Sequence, residues 1–278
     1  MILVSPMPYV VLFWNIGQNR TNKAWNPVPS IKLLAEKFDV DVIALAEPGA
    51  CIQEVQKSEP RNMIWFQQSL RTDKVAVIVQ KGLRRQFKHV KTHSSHRISL
   101  FRSDEIQSHF AFVHLLDQRN HELAERNSFA QTCASWLRER MEGRVPKNLL
   151  VAGDFNLMPY DVGMVGAEGF HGVPTRHLAR PDSRTVAFSN RRLLYNPTWS
   201  GLGDLSPGLP GSFGGSINGL IDPGWHAPDQ FLVSQGLIDR VDWFKSGWRT
   251  ERGSRRAPVF HRPSHDGSDH YPLLVHIR

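Results

Sequence analysis

Residues 149–159, LLVAGDFNLMP, run as an apolar strand and then break into Gly153, Asp154, Phe155 and Asn156. Strand interiors select apolar side chains, so the chain leaves the core here and presents Asp154 and Asn156, spaced two apart, in one direction. A carboxylate held on a rigid strand end either caps a loop or forms a site for metal and water. Four further positions bear on the choice. The first apolar run ends at Trp14-Asn15 and the second at Ala46-Glu47-Pro48; Asp229 stands just before a strand in PDQFLVS, and Ser268-Asp269-His270 precedes the last apolar run. Each alone is an ordinary surface or turn residue. Together they form an ordered set of carboxylates and amides, which converge only if the sheets place those strand ends at one rim.

The elements that must position them are short apolar segments rich in β-branched and aromatic residues, at 9–16, 40–46, 63–67, 75–79, 98–101, 109–115, 149–153, 231–233, 241–244 and 271–277. Strands of this length and number imply large sheets. Two helices stand among them. Residues 29–38 start after a proline and carry Ile31, Leu34, Ala35 and Phe38 on one stripe, and residues 122–141 repeat Leu123, Ala130, Ala134, Leu137 and Met141 at helical spacing. A strand, helix, strand order opens the chain, but 63–115 reads as successive strands, so the sheets are mixed and the class is α+β with packed sheets, not doubly wound. Residues 1–278 read as one domain. The stretch 201–224 is crowded with Gly and Pro, cannot be regular, and lies between candidate site segments, which marks it as functional.

Hydrophobic residues at 40%, charged residues at 22%, eight Trp and fifteen Phe supply a sizeable core and exclude a disordered chain. Lys plus Arg number 34 against 26 Asp plus Glu, a formal charge of +8 that favours polyanionic partners. Cys51 follows a strand and Cys133 sits in a helical pattern, which fits free buried thiols in a reducing compartment and not a disulfide framework. The opening MILVSPMPYVVLFWNI lacks a basic leading region and is interrupted by Pro6, Pro8 and Asn15, so it reads as neither a signal peptide nor a membrane span. The expectation is a cytoplasmic chain with no membrane insertion and no evident obligatory protein partner.

Taken in order, Asn15 in LFWNIG, Glu47 in IALAEPG, His114 in FVHLL, GDFN at 153–156, DQFLVS at 229–234 and SDHYPLLV at 268–275 resemble the motifs of the endonuclease/exonuclease/phosphatase superfamily. That superfamily includes DNase I, abasic-site endonucleases, inositol polyphosphate 5-phosphatases and sphingomyelinases. The resemblance runs from near residue 15 to residue 270, with GDFN and SDHYP its most specific parts. It implies a four-layer α/β sandwich with the active site at one edge of two packed mixed sheets, and a phosphoesterase dependent on Mg²⁺ or Mn²⁺.

The same resemblance implies roles. Glu47 is the principal metal ligand with Asn15 and Asp269 nearby, consistent with a hard cation that prefers oxygen and keeps several waters. Asp154 orients or deprotonates the attacking water, and Asn156 holds a phosphate oxygen. His270, oriented by Asp229 through its other ring nitrogen, stabilises charge on the phosphate, and His114 contacts that phosphate or assists the leaving oxygen. One position departs from the pattern: many members carry Asp two residues after the first Asn, and here it is Gly17. A one-metal site on Glu47 survives that loss; a two-metal scheme does not follow from it. The cluster FHRPSHDGSDH also offers His261, His265, Asp266, Asp269 and His270 to zinc, but irregular spacing across a Pro- and Gly-containing loop argues against that reading.

Basic residues gather at 81–93, at Arg176, Arg180 and Arg184, at Arg191-Arg192 and at 249–256. They suit the sequence-independent attraction of a nucleic-acid backbone, or are ordinary solvated hairpins. Trp199 in NPTWS either stacks on a base or packs under the Gly-rich loop. The expected activity is a nuclease on DNA or RNA, with Trp199, Arg191 and Arg192 binding substrate. Two alternatives stay open: a phosphatase or phosphodiesterase on inositol-phosphate or lipid head groups, and a catalytically silent nucleic-acid-binding module, which has no need of the acidic set.

Overall fold

A computed structural model describes residues 7–17, 26–49, 54, 63–66, 74–83, 85–141, 148–203, 209–214, 224–246 and 268–278. Cys51, the basic run 249–256, and His261, His265 and Asp266 lie outside the described residues. In chain order the strands are β1 (Tyr9–Asn15), β2 (Val42–Ala46), β3 (Met63–Phe66), β4 (Val75–Gln80), β5 (Phe87–Thr92), β6 (Ile98–Ser103), β7 (Ser108–His114), β8 (Leu149–Asp154), β9 (Gly172–Val173), β10 (Ser183–Val186), β11 (Ser189–Arg192), β12 (Leu194–Tyr195), β13 (Phe213–Gly214), β14 (Trp225–His226), β15 (Asp229–Val233), β16 (Val241–Ser246) and β17 (Leu273–Ile277). They build a six-stranded sheet in the order β16-β17-β1-β2-β4-β3, a seven-stranded sheet in the order β5-β6-β7-β8-β15-β12-β9, and two short ribbons, β10-β11 and β13-β14. Both large sheets are mixed: β1 runs parallel to β2 and β7 parallel to β8, while β1–β17, β2–β4, β6–β7 and β8–β15 are antiparallel.

Two helices complete four layers. Helix α1 (Val28–Phe38) starts at a proline-bearing N-terminus and stops where Asp39 turns left-handed, its backbone N–H returning to Ala35 O. It buries Val28, Ile31, Leu34 and Ala35 against Leu12, Trp14, Ile43 and Leu45 on the outer face of the six-stranded sheet. Helix α2 (Leu123–Met141) buries Ala130, Cys133, Ala134, Leu137 and Met141 against Leu100, Ala111, Val113 and Val151 on the outer face of the other sheet. Leu123, expected on that stripe, is 46% exposed, and its neighbours Ala124 and Glu125 are exposed as well. Among the described residues no helix is long and apolar enough to cross a membrane.

The space between the sheets decides where the site lies. Tyr9, Val11 and Phe13 of β1 alternate into it, as do Phe110 and Phe112 of β7, Leu150 and Ala152 of β8, and Phe231 and Val233 of β15. One further step of each period-2 alternation places Asn15, His114, Asp154 and Asp229 on the same inner side, where the apolar filling ends.

Sequence reading and structure differ at several places, among them the short strands β9, β12, β13 and β14, of which β13 lies in the Gly- and Pro-rich stretch expected to hold no regular element. Asp229 belongs to β15 and does not merely precede it, because its backbone pairs with Asp154. The last strand begins at Leu273, two residues late, after Pro272, which has no N–H to give a ladder. The basic run 81–93 contains an edge strand, β5, anchored by buried Phe87. The polar ribbon β10–β11 has no apolar alternation to announce it.

Gly153 has a packing reason. A Cβ built there would stand 2.1 Å from Val113 O and 2.4 Å from Val113 Cγ2, across the β7–β8 pair. Gly153→Ala is therefore expected to destabilise the fold by about 1–3 kcal/mol, read as a fall in melting temperature.

Candidate active site

Register lines up the first three groups. His114 on β7 stands opposite Asp154 on β8, and Asp154 opposite Asp229 on β15, so three side chains sit in one row across adjacent strands. From the other sheet, Asn15 at the end of β1 donates through Nδ2 to Asp154 Oδ2 at 2.9 Å. Asp154 Oδ1 accepts the Asn156 backbone N–H at 2.9 Å, so both carboxylate oxygens are oriented. Asn156 achieves this with φ of 51°, a left-handed conformation that asparagine tolerates. Buried Asp154 is thus neither a surface acid nor a simple loop cap.

His270 donates through Nδ1 to Asp229 Oδ2 at 2.7 Å, which leaves Nε2 as its second donor. Burial works against a charged His270, but the Asp229 charge and hydrogen bond, with Asp154 and Asp269 adding, outweigh it and push its pKa up to about 9. Burial likewise pushes Asp229 up to about 6, opposed by His270 and Ser212 and reinforced by Asp154. Near neutrality the pair is therefore an imidazolium on a carboxylate. His114 differs: burial, with Arg97 and His270, lowers its pKa against the pull of Asp154 and Glu47, so it stays neutral.

Glu47 follows β2 with φ of 48°, unusual for a residue with a long side chain. Its Oε1 lies 3.6 Å from His114 Nε2, and Asp154 Oδ2 lies 3.8 Å from the same nitrogen, so both carboxylates border one small volume. Asp269 is half-buried beside His270.

Oxygen and nitrogen donors of Asp154, Asp229 and His270 lie within 4.8 Å of one another, close enough to share an ion. The His270–Asp229 hydrogen bond already uses one atom from each of those two residues, however. What it leaves is Asp229 Oδ1, buried and without a hydrogen-bond partner, in a neighbourhood of carboxylate oxygens. That oxygen and the Glu47 and Asp154 carboxylates, which border one volume, are the kind of donors a hard divalent cation takes.

The other expected residues divide. Trp199 is half-buried in a short helical turn, its ring 6.2 Å from that of exposed Tyr160, and the preceding Thr198 Oγ1 accepts the Phe231 N–H two residues along β15 from Asp229. It flanks the rim. Arg191 and Arg192 do not: Arg191 pairs with Glu168, Arg192 pairs with Asp182, and Arg192 lines a small apolar crevice with Leu149, at the far end of β8 from Asp154.

Several residues escaped the sequence reading. Trp14 Nε1 donates to His270 O at 2.9 Å, and Ser268 Oγ donates to Asn15 O at 2.5 Å while accepting the His270 N–H at 3.0 Å. These bonds tie the end of β1 to the 268–270 turn. Ser212 Oγ accepts the Asp229 N–H at 3.1 Å, and the Phe213 ring stands edge-on to His270 at 5.1 Å. Trp14 and Ser268 lay inside quoted motifs; Ser212 and Phe213 had no signal beyond their place in the Gly-rich stretch.

No protein-family model matches the chain, and no curated protein matches it. Solved structures match along nearly its whole length. A D. rerio TDP2 humanized by 14 mutations is 16% identical, with a TM-score of 0.60 over 98% of this chain and 99% of that one. An endonuclease/exonuclease/phosphatase family protein from Bacteroides thetaiotaomicron is 13% identical, with a TM-score of 0.58 over 98% of each chain. The chain has the endonuclease/exonuclease/phosphatase fold. Sphingomyelinase C from Streptomyces griseocarneus matches at a TM-score of 0.54 and 14% identity, over 98% of this chain and 100% of that one.

Proposed function

We propose that the chain is a divalent-metal-dependent phosphoesterase that hydrolyses phosphodiester bonds of nucleic acid. The observation that carries the reading is the row His114, Asp154, Asp229, with both Asp154 oxygens oriented and an imidazolium held on Asp229 beside it. Asp154 takes a proton from the attacking water, its lone pairs fixed by Asn15 and Asn156. His270, kept cationic by Asp229, stabilises the charge that develops on the phosphate, and neutral His114 contacts that phosphate. Asn156 binds a phosphate oxygen. Glu47, Asn15 and Asp269 would hold Mg²⁺ or Mn²⁺, whose chemistry when bound is to neutralise charge on the phosphoryl oxygens.

Nucleic acid is supported by the +8 charge and by two relatives of the same fold: a D. rerio TDP2 solved with single strand DNA product, and the Neisseria 3′ phosphatase NExo solved with a product DNA hairpin. One observation favours a smaller head group instead: Arg191 and Arg192 are paired away from the rim.

The deciding experiment incubates purified protein with Mg²⁺ or Mn²⁺ and supercoiled DNA, linear duplex, single strands, RNA or inositol phosphates, beside EDTA. Metal-dependent cleavage of a polymer supports the proposal. Hydrolysis of inositol phosphates alone moves the substrate to the head-group class, and binding of DNA or RNA without any cleavage makes the chain a silent binding module. In the same assay Glu47→Gln is expected to raise the Mg²⁺ concentration for half-maximal activity by at least about tenfold, because a charged oxygen ligand becomes a neutral one.

A further inference from the structure

Two arginines outside the acidic row converge on the main chain of the strand ends that carry it. Arg97, just before β6, donates through Nη1 to His114 O at 3.2 Å and to Leu115 O at 2.7 Å. Arg126, in the first turn of α2, donates through Nη1 to Asn156 O. Leu115 O also lies 3.5 Å from Asn156 Nδ2, so the carbonyls bound by the two guanidinium groups bridge the ends of β7 and β8. The next residue of α2 continues the pattern: Asn127 Oδ1 accepts the Gly163 N–H at 2.7 Å. Consecutive side chains of one helix therefore hold both ends of the segment 156–163, which begins two residues after Asp154.

Helix stability alone does not call for this arrangement. The first turn of a helix disfavours a cation, and Arg126 Nε is buried without a hydrogen-bond partner. What the site requires is different. Carbonyls at strand ends have lost their ladder partners, and Asn156 is held in a left-handed conformation from which an untied loop would relax. A guanidinium holds the two N–H bonds of one nitrogen in a fixed plane, so Arg97 Nη1 binds two carbonyls at once, whereas the donors of an ammonium rotate and are not held in one plane.

We infer that Arg97 and Arg126 are positioning residues, which fix the spacing of His114, Asp154 and Asn156 by binding the main-chain carbonyls of His114, Leu115 and Asn156 and not the substrate. Its catalytic consequence rests on the phosphoesterase reading; the tie itself does not.

The test compares wild type with Arg126→Met, Arg126→Lys and Arg97→Lys, by amide hydrogen exchange over 154–163 and by kcat and KM on whichever phosphoester the wild type cleaves. Arg126→Met is expected to speed exchange in the loop at least about tenfold and to lower kcat by about ten- to a hundredfold with KM nearly unchanged. Arg126→Lys should restore part of the kcat lost in Arg126→Met, since one carbonyl needs one donor, whereas Arg97→Lys should itself fall below wild type in kcat, since an ammonium does not hold two donors in one plane for two carbonyls. Unchanged exchange and unchanged kcat in Arg126→Met would overturn the inference. So would a kcat loss that merely matches a loss of folded protein. If the wild type cleaves no phosphoester while exchange still rises in the variant, the phosphoesterase reading fails and the main-chain tie stands.

Discussion

Asp154→Asn is expected to cut kcat by about a thousandfold or more, with a much smaller effect on folding, read as the melting temperature. Asp154 is 1% exposed and shares a row with Asp229, so two carboxylates face each other on paired strands inside the protein. Removing one charge relieves that repulsion but also removes the attraction of Asp154 for the His270 imidazolium and sets an amide NH₂ against a buried donor, so the effects on stability oppose each other. Chemistry should suffer severely. An amide has no basicity to accept a proton from water, and it must also turn an NH₂ toward either Asn15 Nδ2 or the Asn156 N–H, both of which are donors. Turnover measured beside a thermal melt separates the two effects. A variant that keeps more than a tenth of wild-type kcat would remove Asp154 from the role of base and leave it a loop-ordering residue.

Asp154 was legible in the sequence because its signal is local: an apolar alternation that stops at Gly153 and continues, on the same face, into an acid. Asn15 and His114 follow the same rule on their own strands, and Glu47 comes one residue past the end of β2. Asp229 was found as an acid, but its place inside β15 was missed, because one polar residue at a strand end carries no periodicity of its own. Arg191 and Arg192 are the opposite case. Composition marks them as phosphate binders, but whether a guanidinium is available depends on its neighbours in space, here Glu168 and Asp182, one of them more than twenty residues away. Arg97 and Arg126 were not legible at all. They bind main-chain carbonyls, which every residue has, so nothing in the sequence at 114, 115 or 156 announces a partner.

Activity is expected to follow a bell in pH with limbs near 6 and 9, because the form that works pairs ionised Asp229 with protonated His270. As pH falls through about 6, Asp229 takes a proton and its charge no longer sustains the imidazolium; as pH rises through about 9, His270 loses its own. Asp229→Asn tests the coupling. Of the influences on His270, burial lowers its pKa and Asp229 is the largest that raises it, so without the Asp229 charge the alkaline limb should move toward acid and kcat at pH 8 should drop by about 10²–10³. The loss at pH 6 should be smaller, since there more of the His270 proton survives. Stability moves in a predictable sense as well. The folded-state pKa of His270 is raised above its ordinary 6.5, so the stabilisation it gives is complete below that value and is lost as pH rises through about 9. Should Asp229→Asn lower kcat equally at every pH, leaving the alkaline limb near 9, Asp229 would be orienting the His270 ring without setting its charge, and the hydrogen bond from Nδ1 would matter more than the carboxylate that accepts it.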